Sequence, residues 1–189
     1  EFVIGTVGEI GERKNQVDLL RAAARLPDGL GPVTLVLVGG LPPHGEPMQG
    51  WNEALAAASA RHRVVLAGQR DDGAALTAAF DLFGFVSRME QGPIAPLEAM
   101  ANGVPVLTYR VGNLPEIVGH GRTGFLVGQG DVEGFARLAG ELMGDIERLR
   151  QVGENARREI AARLSPQAME RGTEAVYRAV IGSRAPARP

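Results

Sequence analysis

Two carboxylates and one ammonium are the residues whose types and spacing invite chemistry. Seven residues separate Glu90 from Glu98 in the segment Ser87-Arg88-Met89-Glu90-Gln91-Gly92-Pro93-Ile94-Ala95-Pro96-Leu97-Glu98. Pro93 and Pro96 suit a loop and then a helix's first turn, where a missing N–H costs no hydrogen bond. Glu98 is therefore expected just inside a helix and Glu90 in the loop before it, so that both can face one pocket. A carboxylate in such a place accepts a pair of hydrogen bonds from a vicinal diol, such as a ribose or hexose. The same residues also have a plainer use. A first-turn glutamate complements the helix dipole, and a loop glutamate is simply solvated. Spacing alone leaves both readings open.

The cation is Lys14, the only lysine in a chain with 20 Lys and Arg residues. The plain reading of the arginine excess is genomic, since a GC-rich coding sequence favours arginine codons. A lysine that survives it marks a place where a compact ammonium differs in use from a planar fork. Lys14 ends the turn Gly5-Thr6-Val7-Gly8-Glu9-Ile10-Gly11-Glu12-Arg13-Lys14. The glycines are spaced three and three, which fits neither the G-x-G-x-x-G dinucleotide fingerprint nor a P-loop. A strand, a glycine turn and a lysine at a helix start still attract phosphate, through free N–H groups and the positive end of the helix dipole. An ordinary strand-to-helix turn has the same glycines.

Other chemistries find no residues. The chain has 0 cysteines, which excludes a disulfide scaffold, a Cys-ligated zinc site and a thiol nucleophile. His44, His62 and His120 are scattered without metal-ligand spacing. His62, between Arg61 and Arg63, reads as part of a solvated face, and His120 sits in a turn. No G-x-S-x-G elbow occurs. The formal net charge of -2 gives no general case for nucleic acid or an anionic membrane. No apolar run approaches the ~18 residues that would span a bilayer.

The elements that must position these side chains alternate. Strands are expected over 2–7, 33–38, 63–67, 82–87, 105–109 and 125–127. Helices are expected over 17–26, 53–61, 72–80, 96–101 and 114–118, and from 132 to about 180. Met48 lies near the end of a Gly- and Pro-rich loop over 41–50 and Trp51 follows it; the loop is either a lid or a packed anchor for the next helix. The segment 33–38 is apolar at both parities, so it should be a central buried strand. The 26 glycines of 189 residues, about twice the ~7% of average usage, are dispersed among turns. Alternation of this kind predicts an α/β, Rossmann-like, doubly wound parallel sheet of about six strands with a helical C-terminal end. Ligands then bind beyond the carboxyl ends of the strands. One domain over 2–181 is expected, with 182–189 as a frayed tail. The start at Glu1, without Met, reads as a domain cut from a longer protein.

Four segments, in order, resemble the C-terminal, donor-binding domain of family 4 glycosyltransferases, which have the GT-B fold. The turn from Gly8 to Lys14-Asn15 resembles the family's G-R-L-x-x-x-K-G. Glu90 to Glu98 resembles its E-x(7)-E motif. The stretch from Val111-Gly112-Asn113-Leu114-Pro115-Glu116 onward resembles v-G-G-x-P-E-i-v, and Gly121-Arg122-Thr123-Gly124-Phe125-Leu126-Val127 resembles d-G-x-T-G-x-L-V. The match covers about 2–143. The resemblance implies a retaining, metal-independent bacterial transferase of glycan biosynthesis, with a nucleotide-diphosphate sugar as substrate and no cofactor. Its acceptor-binding N-terminal half is absent here. Lys14 would bind the diphosphate, with Gly8 in the turn beside it. Glu98 would hold the ribose hydroxyls, and Glu90, at the catalytic position, would contact the donor sugar. Backbone N–H groups around Gly92, Ile94 and Ala95 would cradle phosphate or sugar. The family's first-loop Arg is Glu9 here, and Arg88 or Arg13 is the candidate replacement. Asn15 stands for the family's Gly, and Pro93 has no N–H to give. A cytoplasmic location follows, peripheral to the inner membrane face in a full-length protein. A nucleotide-sugar epimerase of the same fold, and a non-catalytic nucleotide-binding or scaffolding module, are the alternatives. The donor base, the donor sugar and the acceptor are not legible.

Overall fold

The computed structural model describes residues 1–42, 44 and 47–183. Among them six strands form one sheet: β1 (Phe2–Val7), β2 (Val33–Val38), β3 (Arg63–Gly68), β4 (Leu82–Phe85), β5 (Val106–Tyr109) and β6 (Phe125–Val127). The order is β3-β2-β1-β4-β5-β6, and every pair is parallel. The connecting helices are α1 (Gln16–Ala23), α2 (Trp51–Ser59), α3 (Gly73–Leu76), α4 (Ala95–Ala101) and α5 (Leu114–Ile117). The C-terminal end adds α6 (Val132–Met143), α7 (Ile146–Arg163) and α8 (Pro166–Ser183). The chain steps outward from β1 to β3, returns to β4 beside β1, and steps outward again to β6. Right-handed crossovers in opposite directions put α1 and α2 on one face and α4 on the other. The order therefore reverses between β1 and β4, where such sheets open a crevice at their carboxyl ends.

Apolar residues at both parities make the inner strands two-faced. Leu35, Leu37, Leu82, Phe83, Val106 and Leu107 are each 0% exposed. Burying a side chain of this size contributes roughly 1.5–3 kcal/mol. Helix α1 packs against α2 and α6, and α4 packs against α7. Val36 is only half-buried. Its face of the sheet is thinly covered, and an apolar groove of about 280 Å³ runs between Val3, Val36, Val65 and Leu76.

That thin cover has a cause. In place of the helix expected over 72–80 there are four residues of α3 and a 3-10 turn over Thr77–Ala79. The Ala74 carbonyl, which a continuing helix would engage, accepts from the Thr77 hydroxyl at 2.7 Å and from Asn102 Nδ2 at 2.9 Å. The strand expected over 82–87 ends at Phe85; beyond it the Val86 carbonyl accepts from Asn15 Nδ2 and the Ser87 hydroxyl reaches the Arg13 carbonyl. Trp51 and Met48 are buried at 3% and 4%, the packed anchor of the two expected alternatives. Part of the 41–50 loop lies outside the described residues. His62 is not on a solvated face: its Nε2 donates to the Ala23 carbonyl at 3.0 Å, and burial lowers its pKa. Helix α8 runs through Ser183, and residues 184–189 lie outside those described. No described helix is long and apolar enough to cross a membrane.

Candidate functional site

The loops after β1 and β4 meet at the reversal of strand order and are bolted together. The Arg88 N–H donates to the Arg13 carbonyl at 2.9 Å. The Ser87 hydroxyl lies 2.8 Å from that carbonyl and 2.8 Å from Glu90 Oε1, so its single proton serves one of them at a time. Lys14 Nζ donates to the same Glu90 oxygen at 2.7 Å, and Arg13 Nη1 donates to it at 2.9 Å. The Glu90 side chain is 7% exposed and that of Lys14 15%, while the Arg13 side chain is 51% exposed. Lys14 Nζ also stands 5.0 Å from the centroid of the Phe85 ring, a cation–π distance. A carboxylate this enclosed is tolerable only with its cations in place; an unpaired one costs several kcal/mol. Two cations on one carboxylate leave that trio with one positive charge in excess.

Helix α1 is held by a polar network behind Lys14. Asn15, its N-cap, has φ 54 and ψ 37, a left-handed conformation that asparagine tolerates better than most residues. Its Nδ2 donates to Asp18 Oδ2 at 2.7 Å and to the Val86 carbonyl at 3.2 Å. The Tyr109 hydroxyl, at the end of β5, donates to the same Asp18 oxygen at 3.1 Å. Burial first, and then the Asp18 charge, push the Tyr109 phenol well above its ordinary pKa. Lys14 is thus placed by contacts to the ends of β4 and β5.

Beside the cluster, a cavity of about 550 Å³ opens across the ends of β1, β2 and β3. Gly8, Glu9, Gly39, Gly40, Gln69 and Arg70 line it. A Cβ on Gly39 would stand 1.9 Å from the Gly8 carbonyl oxygen, so two turns touch backbone to backbone at its floor. Gly8 itself has φ 149, a conformation that other residues rarely adopt. Arg70 is held by Asp72 through two bonds of 2.7 Å.

The sequence-predicted residues fall into two groups. Gly8, Lys14 and Glu90 come together. Arg88 turns to Glu12 at 2.9 Å, with both side chains more than half exposed. Gly92 and Ile94 are exposed, Pro93 is buried and Ala95 is the first residue of α4. Glu98 sits in the first turn of α4, half-buried, and bonds to no described residue through its carboxylate. So Glu90, not Glu98, meets Lys14. Sequence reasoning assigned no role to Ser87 or Gly112. Gly112 has φ 55, and a Cβ there would lie 2.4 Å from the Glu90 carbonyl oxygen. It lets the loop after β5 press on the Glu90 backbone. Its signal was the glycine within the Val111-Gly112-Asn113 motif, which resembled the family without showing why the glycine is needed.

A doubly wound parallel domain of six strands, with glycine turns and a cation cluster at the reversal of strand order, has the architecture of one half of the GT-B fold. The family model described as "Glycosyl transferases group 1" matches residues 1–159, and the chain belongs to that family. The chain is 33% identical over 183 residues to the 2-deoxystreptamine N-acetyl-D-glucosaminyltransferase of Streptomyces fradiae, covering 95% of the chain and 42% of the relative. It superposes on sucrose-phosphate synthase from Thermosynechococcus elongatus with a TM-score of 0.82 and 26% identity, covering 97% of the chain and 46% of that structure. It superposes on Anabaena HepE in complex with UDP and glucose with a TM-score of 0.77 and 28% identity, covering 86% and 44%. The chain thus spans less than half the length of each.

Proposed function

We propose that this chain is the donor-binding half of a family 4-like, retaining glycosyltransferase that takes a nucleotide-diphosphate sugar without a metal ion. The observation that carries the reading is the pair of cations on Glu90 at the ends of β1 and β4, with the cavity alongside. In this reading the cavity between Gly39 and Gln69 receives the base, and the turn at Gly8 lies under the diphosphate. Lys14 offsets the charge that develops on the leaving diphosphate, the largest demand such a transfer makes. The backbone N–H groups of Gly92, Ile94 and Ala95 add donors at the start of α4, while Pro93 contributes none. The unengaged Glu98 carboxylate is available to accept from the ribose hydroxyls. Glu90 keeps hydrogen-bond donors throughout, accepting from hydroxyls of the donor sugar in place of a cation that turns to phosphate. The bound UDP of HepE supports a uridine nucleotide as the first ligand to try. The acceptor, in this reading, belongs to a further half of a longer protein. Thermal denaturation in the presence of UDP-, GDP- and ADP-sugars tests it, since a ligand that binds only the folded state raises the melting temperature by mass action. Stabilisation by one or more of them with EDTA present is expected. A melting temperature unmoved by all three rejects the reading.

A further inference from the structure

Resting on that reading, we infer that Arg13 is the second diphosphate cation of this protein, standing in for the position that Glu9 occupies. A diphosphate carries charge on both phosphoryl groups, and Lys14 is one point charge. Position 9, on the turn after β1, has the wrong sign, and Glu9 lines the cavity beside the glycine turn. Two arginines stand on the loops after β1 and β4 that are bonded to each other, and their partners separate them. Arg88 is neutralised by Glu12 alone, one to one, at 2.9 Å. Arg13 shares its carboxylate oxygen with Lys14, so the pair of cations is only half neutralised. The excess charge therefore sits at Arg13 and Lys14, not at Arg88.

The backbone explains how neighbouring residues reach one atom. The Arg13 carbonyl is fixed by the Arg88 N–H and the Ser87 hydroxyl, and Asn15 turns left-handed immediately after Lys14. Both side chains leave this pinned segment toward Glu90. With the Arg13 side chain 51% exposed, its guanidinium can rotate from Glu90 to a phosphate without moving the backbone. Its planar fork can then take two phosphate oxygens at once, which Lys14 cannot. Glu90 is the intramolecular anion that holds the two cations together before the ligand arrives.

Calorimetric titration of UDP, GDP and ADP, each beside its monophosphate, into the chain tests the assignment. The variants are Arg13→Ala, Arg13→Lys, Lys14→Ala and, as a remote charge control on α6, Arg137→Ala, all checked for an unchanged melting transition. For whichever nucleotide binds, Arg13→Ala should weaken the diphosphate ten- to thirtyfold and the monophosphate less than threefold. Arg13→Lys should recover part of the loss, and Arg137→Ala should bind as the unaltered chain does. Should Arg13→Ala bind the diphosphate unchanged while Lys14→Ala is weakened, Arg13 has no such role although the site is real. Equal losses for diphosphate and monophosphate in Arg13→Ala would equally overturn the assignment. If the unaltered chain binds none of the nucleotides, the functional reading falls and this inference with it.

Discussion

Glu90 receives Lys14, Arg13 and the Ser87 hydroxyl on one oxygen, so a single atom change tests the cluster. Glu90→Gln removes the anion that competes with phosphate while keeping the shape. UDP binding should hold or tighten, and the ratio of UDP-sugar to UDP affinity should fall; parallel losses for both ligands in calorimetry would contradict a sugar-facing role. Glu98→Gln should instead weaken nucleotide and nucleotide-sugar alike, by about 1–3 kcal/mol, the range for losing charge-assisted hydrogen bonds. Tyr109 makes a prediction in the alkaline range. Its folded pKa is raised above the unfolded value of 10.0, so its contribution is whole below pH 10 and is lost as pH rises further. Above that pH the unfolded chain sheds the phenolic proton and the folded chain keeps it, so stability should fall by up to about 1.4 kcal/mol per pH unit. Urea melts between pH 9 and 11 should show that decline in the natural chain and a shallower one in Tyr109→Phe.

The elements show what sequence carries and what it does not. Strand–helix alternation and two-parity apolar runs such as 33–38 are local, so the parallel sheet and its order of elements were legible. The shortness of α3 was not, because one of the two donors that take the Ala74 carbonyl is Asn102, a residue 28 positions away. The site divided the same way. Lys14, Glu90 and Glu98 stood out by type and spacing. The choice of Glu90 as the partner of Lys14 rests on a contact between residues 76 positions apart, which spacing within one loop cannot reveal. His62 was misread for the same reason: its partner, Ala23, lies on another helix. Gly153, within α7, tests close packing at this scale. A Cβ there would lie 2.0 Å from the Gly103 carbonyl oxygen, at the end of the α4 turn. Glycine-to-alanine inside a helix ordinarily stabilises by about 0.5–1 kcal/mol. Here it should destabilise by about 2 kcal/mol or more, through backbone overpacking. A denaturation midpoint raised by Gly153→Ala would mean that α7 does not press on the α4 turn.

The whole molecule is a sheet with one charged, glycine-lined end. The thin apolar groove over Val36 and the exposed Met169, Val176, Tyr177 and Ile181 of α8 lie outside the site described. A lone donor half positions one reactant. Aligning two reactants lowers a barrier by roughly 7–11 kcal/mol, and in the proposed reading this chain binds only the donor of the two. It should therefore bind a donor without transferring sugar to an added acceptor, as product analysis with a radiolabelled donor would show. Binding itself should be modest, because Glu9 faces an anionic ligand and water reaches an open crevice. The central claim is that Arg13 and Lys14 at the ends of β1 and β4 hold a nucleoside diphosphate by charge, without a metal. Calorimetric titration of UDP, GDP and ADP into the chain in EDTA, at low and at high salt, measures that directly. The expected result is a dissociation constant from tens of micromolar to millimolar for at least one nucleotide, about -4 to -6 kcal/mol, weakening as salt is raised. Binding that appears only when Mg²⁺ or Mn²⁺ is restored, or an affinity indifferent to salt, would contradict it.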